Sequence, residues 1–195
     1  MSWIRRNNTT ISTSRLNNGH VHFVPLGKKS QIYLFSTPQL RRPLWFKKQN
    51  WKGTIHHART NLFLDNKAIG LTQHSFGTFE IQVSTRERAI LELLYLIPNQ
   101  QSYEETKQLF EGLRTLRSEL LQRLLKRCQS IKVKRLFLHF ADLTSQPWLS
   151  ELNFSQIDLG KGKRVIGQGG IFDSKYQISV PRIKSGSSNE ELEGP

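Results

Sequence analysis

The stretch STRERAILELLYLIP, residues 84–98, is where the chain changes from strand-like to helix-like patterning. Ser84 and Glu87 have the spacing of a capping box, in which a hydroxyl and a carboxylate bond the first unpaired amides of a helix. Apolar residues then recur at the three- and four-residue steps that line one helix face: Ile90, Leu93, Leu94 and Ile97. We therefore predict a helix that begins at Ser84 and ends before Pro98, because proline cannot continue it.

Three further helices are predicted after this one. Ser102 and Glu105 repeat the capping-box spacing in front of the second helix. The third covers about residues 117–128 and the fourth begins after Ser130, each with an apolar stripe at helical spacing. The single cysteine, Cys128, lies on the third stripe without any metal-ligand spacing around it. We interpret it as a core residue and not as a nucleophile.

Strand-like segments flank the helices on both sides. Upstream, short β-type runs punctuated by glycine and proline occupy residues 20–24, 31–35, 53–57, 68–72 and 78–83. Downstream, Tyr176, Ile178 and Val180 alternate beyond a turn at residues 173–175, which predicts a C-terminal β-hairpin. The order of strands, helices and strands predicts an α+β fold with short antiparallel strands, a central run of four helices and that hairpin.

One principal domain is expected, over residues 19–183. Residues 1–18 are polar with no sustained period and are predicted to be an irregular lead-in, and residues 184–195 have the small, polar and acidic composition of a disordered tail. No apolar run reaches the roughly 18–20 residues that cross a bilayer. The basic start of the chain also lacks the apolar stretch of a secretory signal. A cytoplasmic location is the default expectation.

The distribution of charge is one-sided. The chain carries a net charge of +14, and residues 1–64 contain eleven Lys or Arg and no Asp or Glu. Such an excess favours polyanions through counterion release, and nucleic acid is the usual one. The alternative is a basic surface kept for solubility, or one that docks an acidic protein. The charge predicts affinity for anions without predicting sequence-specific reading.

The spacing of reactive residues does not support catalysis. No GxSxG elbow, HExxH helix or zinc-type spacing occurs. Glu92, Glu104 and Glu105 are predicted on solvated helix surfaces, so no acid–base pair stands out. His20 and His22 share one face of a predicted strand, where a hydrogen-bonded structural pair is favoured over a metal site. We expect no enzymatic activity, no metal and no cofactor.

The strongest candidate for an anion contact is the segment Gly160-Lys161-Gly162-Lys163-Arg164. Its glycines let backbone amides face an anion, and its three cations add long-range attraction; a flexible hairpin turn with solvated lysines is the alternative. The first turns of the fourth helix are predicted to expose three more cations. Together they form the primary predicted group: Lys132, Lys134, Arg135, Lys161, Lys163 and Arg164.

A secondary group lies in RRPLWFKKQNWK, residues 41–52, where aromatic and basic side chains interleave. Such a pattern can hold phosphates and stack bases. We favour inward packing for the aromatic residues Trp45, Phe46 and Trp51. Surface anion contact is predicted for the cations of this segment: Arg41, Arg42, Lys47 and Lys48.

Several stretches resemble, in their order, the C-terminal region of the AbiEi-like antitoxin and transcriptional regulator family of type IV toxin–antitoxin systems. They cover roughly residues 12–182 and include GHVHFVPLG (19–27), STRERAILELLYLIP (84–98), KVKRLFL (132–138), DLGKGKRV (158–165) and KYQISVP (175–181). The combination of KVKRLFL, DLGKGKR and YQISVP is more specific than any single motif.

The resemblance implies an antitoxin that neutralises a nucleotidyltransferase-like toxin and represses their shared operon. In such proteins a winged helix–turn–helix precedes the region seen here, so we expect a truncated or split version, or a stand-alone C-terminal module. The leading hypothesis is an antitoxin-type regulator that contacts DNA through a basic surface. The alternative is a protein-interaction module that binds the toxin without binding DNA. An anion-dependent enzyme at the glycine–lysine segment is a third hypothesis.

Overall fold

A computed structural model describes residues 10–13, 31–51, 53–63, 69–76, 79–167 and 169–182. Within these residues the fold is α+β, as the order of sequence patterns predicts. The predicted strand at 20–24, most of the predicted lead-in and the predicted acidic tail lie outside the described residues.

The upstream strands form one sheet in the spatial order β3-β2-β1-β5-β4. Their bounds are β1 Thr10–Thr13, β2 Gln31–Ser36, β3 Thr54–Arg59, β4 Leu71–Phe76 and β5 Phe79–Ser84. The pairs β1–β2 and β4–β5 are antiparallel, as predicted, whereas β2–β3 and β1–β5 are parallel. Parallel neighbours need a crossover, and the segment between β2 and β3 supplies one that contains a short helix, α1 (Leu44–Lys48).

The central strand of this sheet corrects the sequence prediction. Residues 10–13 fall inside the predicted irregular lead-in, but they form β1, which pairs with both β2 and β5. Their sequence, TIST, holds three β-branched residues, which favour extended backbone. So short a strand is stable only when it pairs with other strands. Its partners are distant in sequence, so the local pattern does not predict it.

The four predicted helices are confirmed as α2 Arg86–Leu96, α3 Tyr103–Glu111, α4 Ser118–Arg127 and α5 Ile131–Leu143. The Ser102 hydroxyl caps α3 by accepting a bond from the Glu105 amide (3.1 Å). The capping box predicted for α2 is wrong. Its N-cap is Thr85, and the Ser84 hydroxyl instead donates to the buried carboxylate of Glu92 (2.7 Å).

The helices enclose an aromatic core around α5, whose residues from Val133 to Ala141 are all buried. Phe110 of α3 lies between two rings of α5, with its centroid 5.7 Å from that of Phe137 and 5.1 Å from that of Phe140. Cys128 is buried in the same core, as predicted, and burial raises the pKa of its thiol to about 11.

The C-terminal strands form a separate three-stranded sheet in the order β6-β8-β7. Strands β7 (Ile171–Asp173) and β8 (Ile178–Val180) make the predicted hairpin, and β6 (Arg164–Val165) pairs with β8 in parallel. Asp173 closes the turn by accepting bonds from the backbone amides of Lys175 and Tyr176. The hairpin thereby holds β6, and the basic segment leading into it, against the helical core.

Candidate anion-binding surface

The prediction that the first turns of α5 expose their three cations is wrong for Lys134 and Arg135, which are 4% and 2% exposed. Lys132 is partly buried. The reason is the central position of α5, which is covered on every side along this stretch. A buried cation must find hydrogen-bond acceptors, and backbone carbonyl oxygens supply them here.

Arg135 organises the segment between α5 and β6. Its guanidinium donates to the carbonyls of Leu159 (2.8 Å), Gly160 (3.1 Å), Gly162 (2.6 Å) and Gln177 (2.8 Å). Burial lowers the pKa of this guanidinium and the charge of Arg164 lowers it further, although an arginine stays charged in proteins. One side chain therefore ties the basic segment to the C-terminal hairpin.

The two lysines of α5 also bind carbonyl oxygens. The Lys134 ammonium donates to the carbonyl of Asp158 (2.6 Å), at the start of the basic segment. The Lys132 ammonium donates to the carbonyls of Tyr95 (3.0 Å) and Ile97 (2.6 Å), where α2 ends. A cation at a helix C-terminus satisfies orphan carbonyls and the helix dipole. Burial lowers the pKa of Lys132.

The bonds from Lys134 and Arg135 hold in place the basic loop, defined as residues 158–164. Gly160 (φ 63°) and Gly162 (φ 73°) have left-handed backbone that favours glycine, and it lets the loop carbonyls turn towards Arg135. Lys161, Lys163 and Arg164 are exposed. None of these three cations forms an ion pair with a carboxylate of the described residues. The loop thus faces inward with its carbonyls and outward with its cations.

The basic loop is also braced on its outer side. The Lys163 ammonium lies 4.9 Å from the centroid of the Phe172 ring on β7, which is within the range of a cation–π contact. Val165 and Phe172 both pair with Ser179 of β8, which puts the three side chains in one row across the sheet. The loop therefore packs against the sheet. The alternative considered from the sequence is a flexible hairpin turn with solvated lysines.

The secondary group surrounds α1 at the other sheet. Arg41, Lys47 and Lys48 are exposed and Arg42 is partly so. Inward packing is confirmed for Phe46, which is 7% exposed, and is wrong for Trp45 and Trp51, which remain 50% and 38% exposed. A five-residue helix has room for one buried anchor, so its neighbours stay at the surface. Contact of this group with an anion stays a prediction.

One ionisable cluster away from these basic surfaces is occupied by structural bonds. His139 links the Tyr103 hydroxyl (2.6 Å) to the Asp173 carboxylate (2.6 Å), joining α3, α5 and β7. Burial raises the pKa of Tyr103, and the Asp173 charge raises it further. In sequence these residues are far apart, so spacing could not reveal the network. In the part of the chain that is described, no group of three or more His, Cys, Asp or Glu could hold a metal.

A surface cleft of about 350 Å³ lies beside the start of α2, and its lining includes Glu87 and Arg117. The Arg117 guanidinium donates two bonds of 3.0 Å to the Glu87 carboxylate. Burial alone would raise the pKa of Glu87, but the bonds from Arg117 and from backbone amides lower it to about 2. This carboxylate is engaged in a structural ion pair with Arg117.

The described residues thus display three cations on a braced loop, while the ionisable groups named above are engaged in structural bonds. The pattern of a family described as "Transcriptional regulator, AbiEi antitoxin, Type IV TA system" matches residues 29–181. The chain belongs to this family of AbiEi antitoxins, which are transcriptional regulators.

Among solved structures, the fold is similar to that of the RV2827C protein from Mycobacterium tuberculosis, with a TM-score of 0.52 and 11% sequence identity. The likeness covers 89% of this chain and 62% of that chain, so the chain spans less than two thirds of that protein's length. At this identity the likeness concerns the fold alone. No curated protein matches the sequence. No helix among the described residues is long and apolar enough to cross a membrane.

Proposed function

We propose that this chain is an antitoxin-type transcriptional regulator that neutralises a nucleotidyltransferase-like toxin and contacts DNA through the phosphates. The contact is assigned to Lys161, Lys163 and Arg164 of the basic loop, with the cations around α1 in a secondary role. Family membership supports the regulatory role. The observation that carries the DNA contact is the basic loop itself, whose three exposed cations have no carboxylate partners among the described residues.

Lys134 and Arg135 act in this proposal by holding the loop, and Lys132 by holding the end of α2; none of the three touches DNA. The bonds of Lys134 and Arg135 to loop carbonyls fix the backbone before any ligand arrives. A preorganised binding surface loses less conformational entropy on association than a flexible one. The loop therefore presents its cations to phosphates at little ordering cost.

The DNA contact is tested with a variant in which Lys161, Lys163 and Arg164 are all replaced by alanine. Binding to a duplex of the chain's own promoter region is measured at several salt concentrations. Each phosphate contact contributes roughly 0.9 to the slope of log K against log salt, so the variant should lose up to about 2.7 from that slope. The matched control removes the same charge at three exposed positions elsewhere: Arg114, Arg123 and Lys126.

The loop is the wrong assignment if the control variant weakens binding as much as the loop variant does, because net charge would then suffice. The antitoxin role is tested by co-expression with the neighbouring gene product. If the unaltered chain restores growth without binding DNA, the second candidate function holds: a protein-interaction module that binds the toxin alone. The exposed apolar residues Val165, Ile171 and Phe172 beside the loop favour that candidate.

A further inference from the structure

We propose that the surface around α1 binds single-stranded nucleic acid, with unpaired bases stacking on Trp45 and Trp51 and phosphates held by the neighbouring cations. We call this surface the α1 platform; its residues are Trp45, Trp51, Arg41, Arg42, Lys47 and Lys48. The inference goes beyond the proposed function, in which the cations of this surface make only secondary phosphate contacts and its aromatic rings have no role.

The aromatic side chains of the platform are arranged around one buried ring. The centroid of Phe46 lies 5.7 Å from that of Trp45, in an edge-on arrangement, and 4.7 Å from that of Trp51. The indole nitrogen of Trp51 donates to the Phe46 carbonyl (3.0 Å). Because its polar edge is already bonded, what Trp51 offers to a ligand is ring surface. Ring surface recognises another flat ring by stacking and needs no particular hydrogen-bond pattern.

The electrostatic surroundings of these rings are positive. Residues 31–63 contain no Asp or Glu, and the platform cations have no carboxylate partner among the described residues. The field reaches the adjacent edge strand: after burial, the charges of Arg42 and Arg59 lower the pKa of His57 on β3. A ligand of this surface is therefore a polyanion.

The combination of rings and cations distinguishes an unpaired strand from a duplex. In a duplex the base faces are stacked on one another, and its outer surface offers phosphates and groove edges. The phosphates of a duplex would pair with the cations but leave the two indole rings exposed to water. An unpaired strand can contact both the rings and the cations, because each base has a free face for stacking and each nucleotide carries a charge. An acidic protein would satisfy the charge but brings no matching set of flat rings.

The test uses the full chain and four probes: oligonucleotides of about twenty thymidines or uridines, a duplex of similar length, and polyglutamate. Binding is followed by fluorescence anisotropy of labelled probes and by quenching of tryptophan emission, which stacking produces. We expect Trp45→Ala and Trp51→Ala each to weaken single-strand binding about fivefold or more, from the stacking contribution of one base. Duplex binding should change less than twofold.

Three control variants and a check of folding make the result decisive. Trp45→Phe keeps a ring and should restore most of the affinity, whereas Leu44→Ala removes an exposed apolar side chain of the same helix and should change nothing. Circular dichroism verifies that the variants fold. The triple alanine variant of the basic loop should keep its single-strand binding. The single-strand proposal for the α1 platform can therefore fail without the proposed function failing, and the reverse also holds.

The proposal is overturned if both tryptophan variants bind the single strands as the parent does. It is also overturned if polyglutamate binds as tightly as the oligonucleotides, which would make the α1 platform a site for an acidic protein. Loss of binding to either oligonucleotide in the tryptophan variants supports it. Tighter binding of the thymidine oligonucleotide would then identify the ligand as single-stranded DNA, and tighter binding of the uridine oligonucleotide would identify it as RNA.

Discussion

Two tetrapeptides of this chain differ at a single position and have opposite fates. Residues 132–135 read Lys-Val-Lys-Arg and residues 161–164 read Lys-Gly-Lys-Arg. The first lies in α5, where Val133 packs in the core and the flanking cations bind carbonyls. The second lies in the basic loop, where Gly162 adopts φ 73° and the cations are exposed. A charge pattern therefore does not reveal a binding surface until its backbone is known.

The two tetrapeptides are also physically coupled. Arg135 of the first binds the carbonyls of Gly160 and Gly162, which lie just before and within the second. Bonds from a charged donor are stronger than neutral ones, and carbonyls that turn inward leave the side chains outside. One set of cations thus positions the other. Structural and exposed cations should therefore respond differently to substitution, and the largest difference is expected at Arg135.

Replacing Arg135 by alanine should lower the free energy of unfolding by about 3–5 kcal/mol, because the carbonyls of four residues lose a charged donor. Chemical denaturation measures this change. Arg135→Lys should lie between, since a single ammonium cannot reach as many acceptors as a planar guanidinium. The matched exposed residue is Arg164, whose alanine variant should change stability by less than about 0.5 kcal/mol. Equal losses at both positions would contradict the distinction.

The Glu87–Arg117 pair extends the comparison to a buried anion with an exposed cation. Since the pKa of Glu87 is lowered from 4.5 to about 2 in the folded state, the unfolded state binds more protons between these values. The stabilisation is complete above pH 4.5 and disappears as the pH falls towards 2. Glu87→Gln should cost about 3 kcal/mol at neutral pH.

Urea unfolding of the parent and of Glu87→Gln at a series of pH values tests this prediction. The difference between them should shrink steadily below pH 4.5. A difference that stays constant down to pH 2 would show that the loss comes from packing and not from the ionised carboxylate.

Much of the fold is readable from local pattern. Each of the four long helices is predicted by apolar residues at helical spacing. The C-terminal hairpin is predicted by alternating apolar and polar residues next to a turn. The strand β1 could not be predicted in this way, because four residues are too few to show a periodic pattern. It forms by pairing with β2 and β5. The parallel pairing of β2 with β3 is equally a property of distant partners.

The site was readable in part. The exposure of Lys161, Lys163 and Arg164 follows from glycines on either side of them. The burial of Lys134 and Arg135 had one local signal: α5 has apolar residues on so much of its surface that little is left for solvent. The acceptors that make this burial tolerable lie 24 to 42 residues away in sequence, so spacing alone could not identify them.

The smallest effects should come from the first lysine of each tetrapeptide. Lys132 binds two carbonyls at the end of α2, so Lys132→Ala should cost about 1–2 kcal/mol of stability and leave the salt slope of DNA binding unchanged. Lys161→Ala should change stability by less than about 0.5 kcal/mol and reduce that slope by about 0.9, the share of one phosphate. Denaturation and salt titration of both variants give the four values. If Lys132→Ala lowered the slope while Lys161→Ala did not, α5 would contact DNA and the division between holding and contacting residues would fail.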